Sequence, residues 1–197
     1  MAAIPIDSQV KGPCKPCNEG WRKTLRRRFA RSSFRCWRTA VVLDALQQAT
    51  LARWATRRAM RAQLAHPPRE AGDPADAYHR FHRSRDIPWV AQIWTGRYGG
   101  AGAWPTEYQR VELFVSRSGP EPPSPNAYVA AFSVGYVAFL YWGISIKDGP
   151  VLDIGRSLAE YFMPIWPVGA PTGWPPSGVI GADGLRAAIR DLPIDFA

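Results

Sequence analysis

Cysteine, histidine and methionine are scarce in this sequence, with three of each among 197 residues. Three cysteines cannot form the disulfide framework on which small secreted domains depend. Two of them, Cys14 and Cys17, form a Cys-x-x-Cys motif, but the strand that precedes a thioredoxin-like redox site is not expected before it. A zinc site that added Cys36 and His66 would have loose ligand spacing. We therefore predict inert cysteines and no bound metal.

The sequence also lacks the motifs that mark common catalytic sites. It contains no Gly-x-Ser-x-Gly, no His-Glu-x-x-His and no pair of carboxylates in an apolar setting. The neighbouring histidines His79 and His82 lie among Arg80, Arg83 and Arg85, which would repel a metal cation. We predict an exposed basic loop at this position, better suited to phosphates or lipid headgroups than to metal. The protein as a whole is predicted to be non-catalytic and to need no cofactor.

Acidic residues are too few to balance the basic ones. The chain has 25 Lys and Arg against 16 Asp and Glu, a formal net charge of +9. The excess lies in the first 70 residues, which hold 15 Lys and Arg and 4 acidic residues. Such a block is typical of a partner of nucleic acid, anionic lipid or an acidic protein. We predict that an anionic surface is contacted by Arg26, Arg27, Arg28, Arg57 and Arg58.

Glycine and proline are absent between Trp21 and His66, and apolar residues recur there at helical spacing. We predict a flexible arm over residues 1–20 and basic amphipathic helices over residues 21–66. Arginine interleaved with aromatic residues fits RNA, an anionic membrane face or an acidic subunit. A helix of a small bundle with a solvated arginine face is the alternative without a binding role.

Proline and glycine punctuate most of the remaining chain. Residues 67–126 are predicted to be irregular, with one short helix that begins near Pro105 and a Pro-rich linker. Residues 147–197 are predicted to hold short helices and an extended arm rich in proline and tryptophan. Such an arm needs a partner on which to bury its tryptophans.

Residues 126–146 carry no charged side chain. The run from Ala127 to Ile146 matches the length of about 20 residues with which a helix crosses a bilayer. Its aromatic and β-branched residues also allow two strands around Gly135, and a buried helix of a soluble domain is a further alternative. Because uncharged runs of this length are rare in soluble domains, the sequence analysis favours a transmembrane helix over residues 127–146.

Within this segment, Ala127, Ala131 and Gly135 are spaced four residues apart and would share one helix face. We predict that they pack against a neighbouring membrane helix, since small residues let two helices approach closely. Tyr128 near one end and Trp142 near the other suit the two membrane interfaces. The predicted fold is therefore mainly α, with a single transmembrane helix, a basic helical N-terminal region and an extended Pro/Trp-rich C-terminal arm.

The expected function follows from this layout. The prediction is a non-catalytic accessory subunit of a large membrane complex of the respiratory type, in contact with other subunits and with the bilayer. No secretory signal peptide is expected, and a basic N-terminal part would remain on the matrix side of the mitochondrial inner membrane. The alternative is a soluble basic protein that associates with RNA in an organellar ribonucleoprotein.

Overall fold

The structure, a computed structural model, describes residues 40–65, 74–87, 90–100, 107–111, 127–144, 154 and 158–190. These residues form eight strands and three helices. The strands are β1 (Val41–Leu43), β2 (Ala91–Tyr98), β3 (Glu107–Val111), β4 (Ala127–Val134), β5 (Val137–Ile144), β6 (Phe162–Trp166), β7 (Thr172–Trp174) and β8 (Val179–Ile180). The helices are α1 (Ala45–Ala65), α2 (Pro74–Ser84) and α3 (Ala182–Arg190).

The segment predicted to cross a membrane is a β-hairpin. Strands β4 and β5 pair antiparallel, and residues 135 and 136 form the turn between them. Gly135 has φ of 59°, a backbone conformation that glycine adopts without a steric penalty. The side chains of Phe132, Val137 and Leu140 are at most 4% exposed, inside the chain's own core. The described helices include none that is both long and apolar enough for a membrane span.

Several predictions are therefore wrong. The fold is mixed α/β rather than mainly α, and the single-pass membrane location, with the N-terminal part on the matrix side, depended on a helix that does not form. The respiratory membrane complex was inferred from the same helix and loses its basis. The alternative of two strands around Gly135 is the arrangement that the structure adopts.

The main sheet has six strands in the order β3-β4-β5-β2-β6, and β8 also pairs with β2. All pairs are antiparallel except β2 with β8. Helix α1 packs on one face together with α2, and α3 packs on the opposite face near β3 and β4. Both faces of the sheet are thus covered, and this explains why β4 and β5 show no alternation of apolar and polar residues.

Helix α1 begins with a capping box. The Asp44 side chain accepts a hydrogen bond from the Gln47 N–H at 2.7 Å, and the Gln47 side chain accepts one from the Asp44 N–H at 2.9 Å. Further along, the Trp54 ring lies 5.8 Å from Phe132 and 5.3 Å from Phe139, measured between ring centroids. These contacts fix the middle of α1 to the β4-β5 hairpin.

The C-terminal residues predicted to form an extended arm on a partner are part of this fold. Strand β7 pairs with β1, and Trp174 is buried in the chain's own core. Gln48 of α1 donates hydrogen bonds to the carbonyl oxygens of Leu43 and Ala170 and accepts one from the Gly169 N–H. The arm is therefore extended in backbone conformation, but Trp174 is buried in the cluster formed with α1 and the strands, and Trp166 is half-buried against the same cluster.

Strand β6 lies at one edge of the main sheet, and among the described strands it pairs with β2 alone. Its register with β2 shifts between Ile93 and Trp94, which marks a β-bulge. Pro164 occupies the middle of β6 with an exposed side chain. Proline has no amide hydrogen and is tolerated at such an edge.

Candidate anion-binding surface

Helix α2 carries the densest group of basic side chains in the described residues. It begins at Pro74, which suits the first position of a helix because its missing N–H has no partner there in any case. Tyr78 and Phe81, three residues apart, are buried in the cluster that also contains residues of α1. The segment around His79 is therefore a helix anchored by one apolar face, and not the exposed loop predicted from the sequence.

The opposite side of α2 is exposed and basic. Arg53, His79, Arg80, Arg83 and Arg85, here called the basic surface, combine one half-buried side chain of α1 with four exposed side chains of α2 and its C-terminal end. Arg80 and Arg83 are one helical turn apart, an axial rise of about 4.5 Å. They therefore project from the same side of the helix.

Arg85 ends α2 in an unusual conformation. Its φ is 63°, in the left-handed region, while its N–H donates a hydrogen bond to the Phe81 carbonyl oxygen at 2.8 Å. Glycine is the usual residue at this position of a helix end, because a side chain costs about 1–2 kcal/mol in this region. The surrounding contacts hold this conformation, since strained positions persist where neighbouring groups fix them.

The end of α2 is tied to α1 through Arg85. The Arg53 Nε donates a hydrogen bond of 3.2 Å to the Arg85 carbonyl oxygen. Beyond this point, the Asp86 N–H donates to the Ser84 hydroxyl oxygen at 3.1 Å. The hydrogen bond thus brings Arg53 to Arg85, which is 32 residues further along the chain.

Three arginines of the basic surface have no acidic partner among the described residues. Within the described part of the chain, Arg80, Arg83 and Arg85 form no salt bridge, whereas Arg186 on α3 pairs with Asp183 at 2.9 Å. Asp86 is the acidic residue nearest to this group in sequence and is itself exposed. Arginines in this state are available to the phosphate oxygens of a partner.

Two of the arginines predicted to contact an anionic surface lie on α1 but are mostly covered. Arg57 is only 6% exposed. Arg58 is half-buried, and its guanidinium carbon lies 5.6 Å from the centroid of the Trp54 ring, a cation–π arrangement. Arg26, Arg27 and Arg28 lie outside the described residues, as do the cysteines. The exposed arginines of the described residues are those of α2 and its end, Arg97 on β2, and Arg186 and Arg190 on α3, while Arg53 is half-buried.

The residues predicted to pack against a membrane helix belong to the hairpin. Ala127 and Ala131 lie in β4, where Ala131 is buried on the α3 side, and Gly135 lies in the turn. Their spacing of four residues therefore has no helical meaning. Among the described residues, no group of histidine, cysteine and carboxylate side chains could hold a metal ion.

The buried Tyr141 and the half-buried Tyr128 form a second polar feature, which sequence analysis did not identify. The Tyr128 hydroxyl donates a hydrogen bond to the Tyr141 oxygen at 3.0 Å, and the two rings stack with centroids 5.3 Å apart. Burial raises the pKa of Tyr141 far above its usual value, although the hydrogen bond from Tyr128 lowers it slightly. Because burial favours the neutral phenol, the Tyr141 hydroxyl stays protonated at neutral pH and accepts the hydrogen bond from Tyr128.

The chain matches no protein-family model, no curated protein and no solved structure. The conclusion about function therefore rests on the site itself. The arginine side chains of the basic surface can hold several phosphate oxygens through charge-assisted hydrogen bonds.

Proposed function

We propose that this protein is a non-catalytic RNA-binding protein that contacts backbone phosphates through the basic surface. The observation that carries the proposal is the arrangement of Arg80, Arg83 and Arg85, which are exposed and form no salt bridge with the described residues. Contacts of this kind supply most of the affinity of sequence-independent binding to nucleic acid.

The position of Arg85 supports the same proposal. A glycine would relieve the strain at φ of 63°, so the arginine is kept at a cost in stability. Its carbonyl oxygen is held by Arg53, which fixes the backbone from which the Arg85 side chain extends. The net charge of +9 favours the approach of any polyanion, and the basic surface provides the place of contact.

The tryptophan of α1 does not take part in this proposed contact. Trp54 packs on Phe132 and Phe139 inside the core and offers no ring to a base. Binding by phosphate contacts without stacking on α1 predicts a strong dependence on salt and a weak dependence on base sequence.

The test compares two double variants that remove the same charge. Arg80→Gln/Arg83→Gln changes the basic surface, and Arg97→Gln/Arg186→Gln removes two exposed arginines from β2 and α3. Binding to a single-stranded RNA of about 20 nucleotides is measured by fluorescence anisotropy at several salt concentrations. We expect the first variant to lose about tenfold in affinity and to reduce the slope of log K against log salt by about 1.4, since each contact contributes about 0.7.

The control variant should keep most of the affinity and slope. An equal loss in both double variants would show that only bulk charge matters, and the proposal would then fail. A third variant, Arg85→Gly, separates affinity from folding: it should bind RNA more weakly while its free energy of unfolding is unchanged or higher. Circular dichroism confirms that each variant is folded.

A further inference from the structure

Two of the three histidines of the chain lie on α2 among the arginines of the basic surface. The local sequence is His79-Arg80-Phe81-His82-Arg83, in which Phe81 is buried. His79 is exposed and His82 is half-buried. Because they are three residues apart in a helix, the two imidazoles lie on neighbouring positions of one side of α2.

The two imidazoles are placed by the same buried ring. The Tyr78 ring centroid lies 6.3 Å from that of His79, with the rings edge to face, and 6.4 Å from that of His82. Tyr78 itself is 4% exposed and packs in the core cluster shared with α1. His79 therefore lies within the basic surface, and the half-buried His82 lies between that surface and the core.

The charged residues around the histidines are mostly positive. On α2 and its end they are Arg80, Arg83 and Arg85, together with the acidic residues Asp76, three positions before His79, and Asp86. On α1, which packs against α2, the charged groups are Arg53, Arg57, Arg58 and Arg61. A protonated histidine adds a further positive charge to this mostly basic surface. An anion bound there would in turn stabilise the protonated form of the histidine.

We propose that His79 and His82 make RNA binding at the basic surface dependent on pH, with tighter binding when the imidazoles are protonated. This inference rests on the proposed function. A neutral imidazole offers one N–H donor, whereas the protonated ring offers two and carries a positive charge, so it can bind a phosphate oxygen. Protonation of the two histidines would thus regulate RNA binding at the basic surface without a change of fold.

The direction of the effect follows from the charge. A histidine side chain changes its charge between about pH 5 and 8, whereas RNA phosphates stay ionised across this range. Affinity should therefore rise as the pH falls from 8 to 5.5. The expected gain is about two- to fivefold for each histidine, the range for one exposed ion pair.

The experiment measures binding of the full chain to an oligouridine of about 20 nucleotides at pH 5.5 and 8, at constant ionic strength. Uridine is the probe because its base does not titrate between these pH values. We expect the native chain to bind more tightly at pH 5.5 and the variant His79→Gln/His82→Gln to bind equally at both. The single variant His79→Gln, which changes only the exposed histidine, should keep part of the effect and serves if the double variant does not fold.

The outcomes separate this inference from the function on which it rests. Equal affinity of the native chain at both pH values overturns the inference and leaves RNA binding intact. A pH effect that survives in the histidine variants places its origin elsewhere and also overturns it. No binding at either pH, even at low salt, overturns the proposed function and the inference together. The variant Arg97→Gln/Arg186→Gln should retain the full pH effect.

Discussion

Tyr141 shows how a single side chain is accommodated in this core. Its ring is fully buried beside Tyr128, and both rings lie against the backbone of Gly143. A Cβ added at Gly143 would lie 2.7 Å from atoms of each tyrosine, closer than carbon atoms can approach. Glycine is therefore required at this point of β5 for the stacked pair to form.

Removal of the Tyr141 hydroxyl should change how stability depends on pH. Burial raises the pKa of Tyr141 above its value in the unfolded chain, so the folded state keeps a proton that the unfolded state releases above about pH 10. The stability of the native chain should therefore fall as the pH rises through 10. Between pH 10 and 11, this group should contribute a loss of about 1 kcal/mol, which Tyr141→Phe should lack.

The measurement is denaturant unfolding of both proteins at pH 8, 10 and 11. At pH 8 the variant should be less stable by about 1 kcal/mol, because the hydrogen bond from Tyr128 is lost. The difference between the two proteins should shrink as the pH rises. A constant difference over the whole range would mean that Tyr141 ionises in the folded state as readily as in the unfolded chain.

The β4-β5 hairpin is the element that the sequence predicted wrongly, as one membrane helix. Each strand has eight residues and the turn adds two, so the hairpin contains nearly as many residues as a helix that crosses a membrane. Side chains of both faces are apolar because α1 covers one face and α3 the other. The signal for two strands was present in Gly135 and in the aromatic and β-branched residues, but length alone could not decide between the alternatives.

Other elements were more accessible from the sequence. The absence of glycine and proline before His66 agrees with the helix Ala45–Ala65, although the three residues before Asp44 form a strand. The basic character of the segment around His79 could be read directly. Its helical form and the hydrogen bond from Arg53 to Arg85 could not be predicted. Both depend on the burial of Tyr78 and Phe81 against α1, which is distant in sequence.

Gln48 joins three parts of the fold, and its substitution tests how much these contacts stabilise the protein. Its side chain amide donates to Leu43 and Ala170 and accepts from Gly169, so it fastens α1 to β1 and to the turn after β6. Gln48→Ala should lower the free energy of unfolding by about 2–3 kcal/mol, since a buried side chain and its three hydrogen bonds to the backbone are lost. Chemical denaturation measures the change.

Gln63 provides the matched control. It lies near the C-terminal end of α1 and has the same side chain, but it is only half-buried, and its side chain forms no hydrogen bond with the described residues. Gln63→Ala should change stability by less than about 0.5 kcal/mol. Similar losses in both variants would show that removal of any glutamine side chain from α1, and not loss of the three hydrogen bonds, accounts for the effect at Gln48.

At the scale of the whole molecule, one sheet separates two apolar clusters. The cluster beneath α1 and α2 includes Ile93, and the cluster beneath α3 includes Ile180. Both residues are buried, and they belong to neighbouring strands but to opposite faces. Because the same strands supply both clusters, we expect the described elements to unfold together.

The variants Ile93→Val and Ile180→Val test this arrangement. Each should lower the free energy of unfolding by about 1 kcal/mol. The double variant should show the sum within about 0.5 kcal/mol, because the two side chains share no partner across the sheet. Circular dichroism and tryptophan fluorescence should report one transition for all three proteins. Separate transitions by the two probes would show that the clusters unfold independently.

Pro164 in β6 affects how readily a strand of another chain could pair with this edge of the sheet. A strand of another chain that paired with β6 would find no amide hydrogen at Pro164, and the β-bulge interrupts the regular ladder beside it. Since strand addition depends on an unbroken row of such donors, we expect this edge to be a poor template for it.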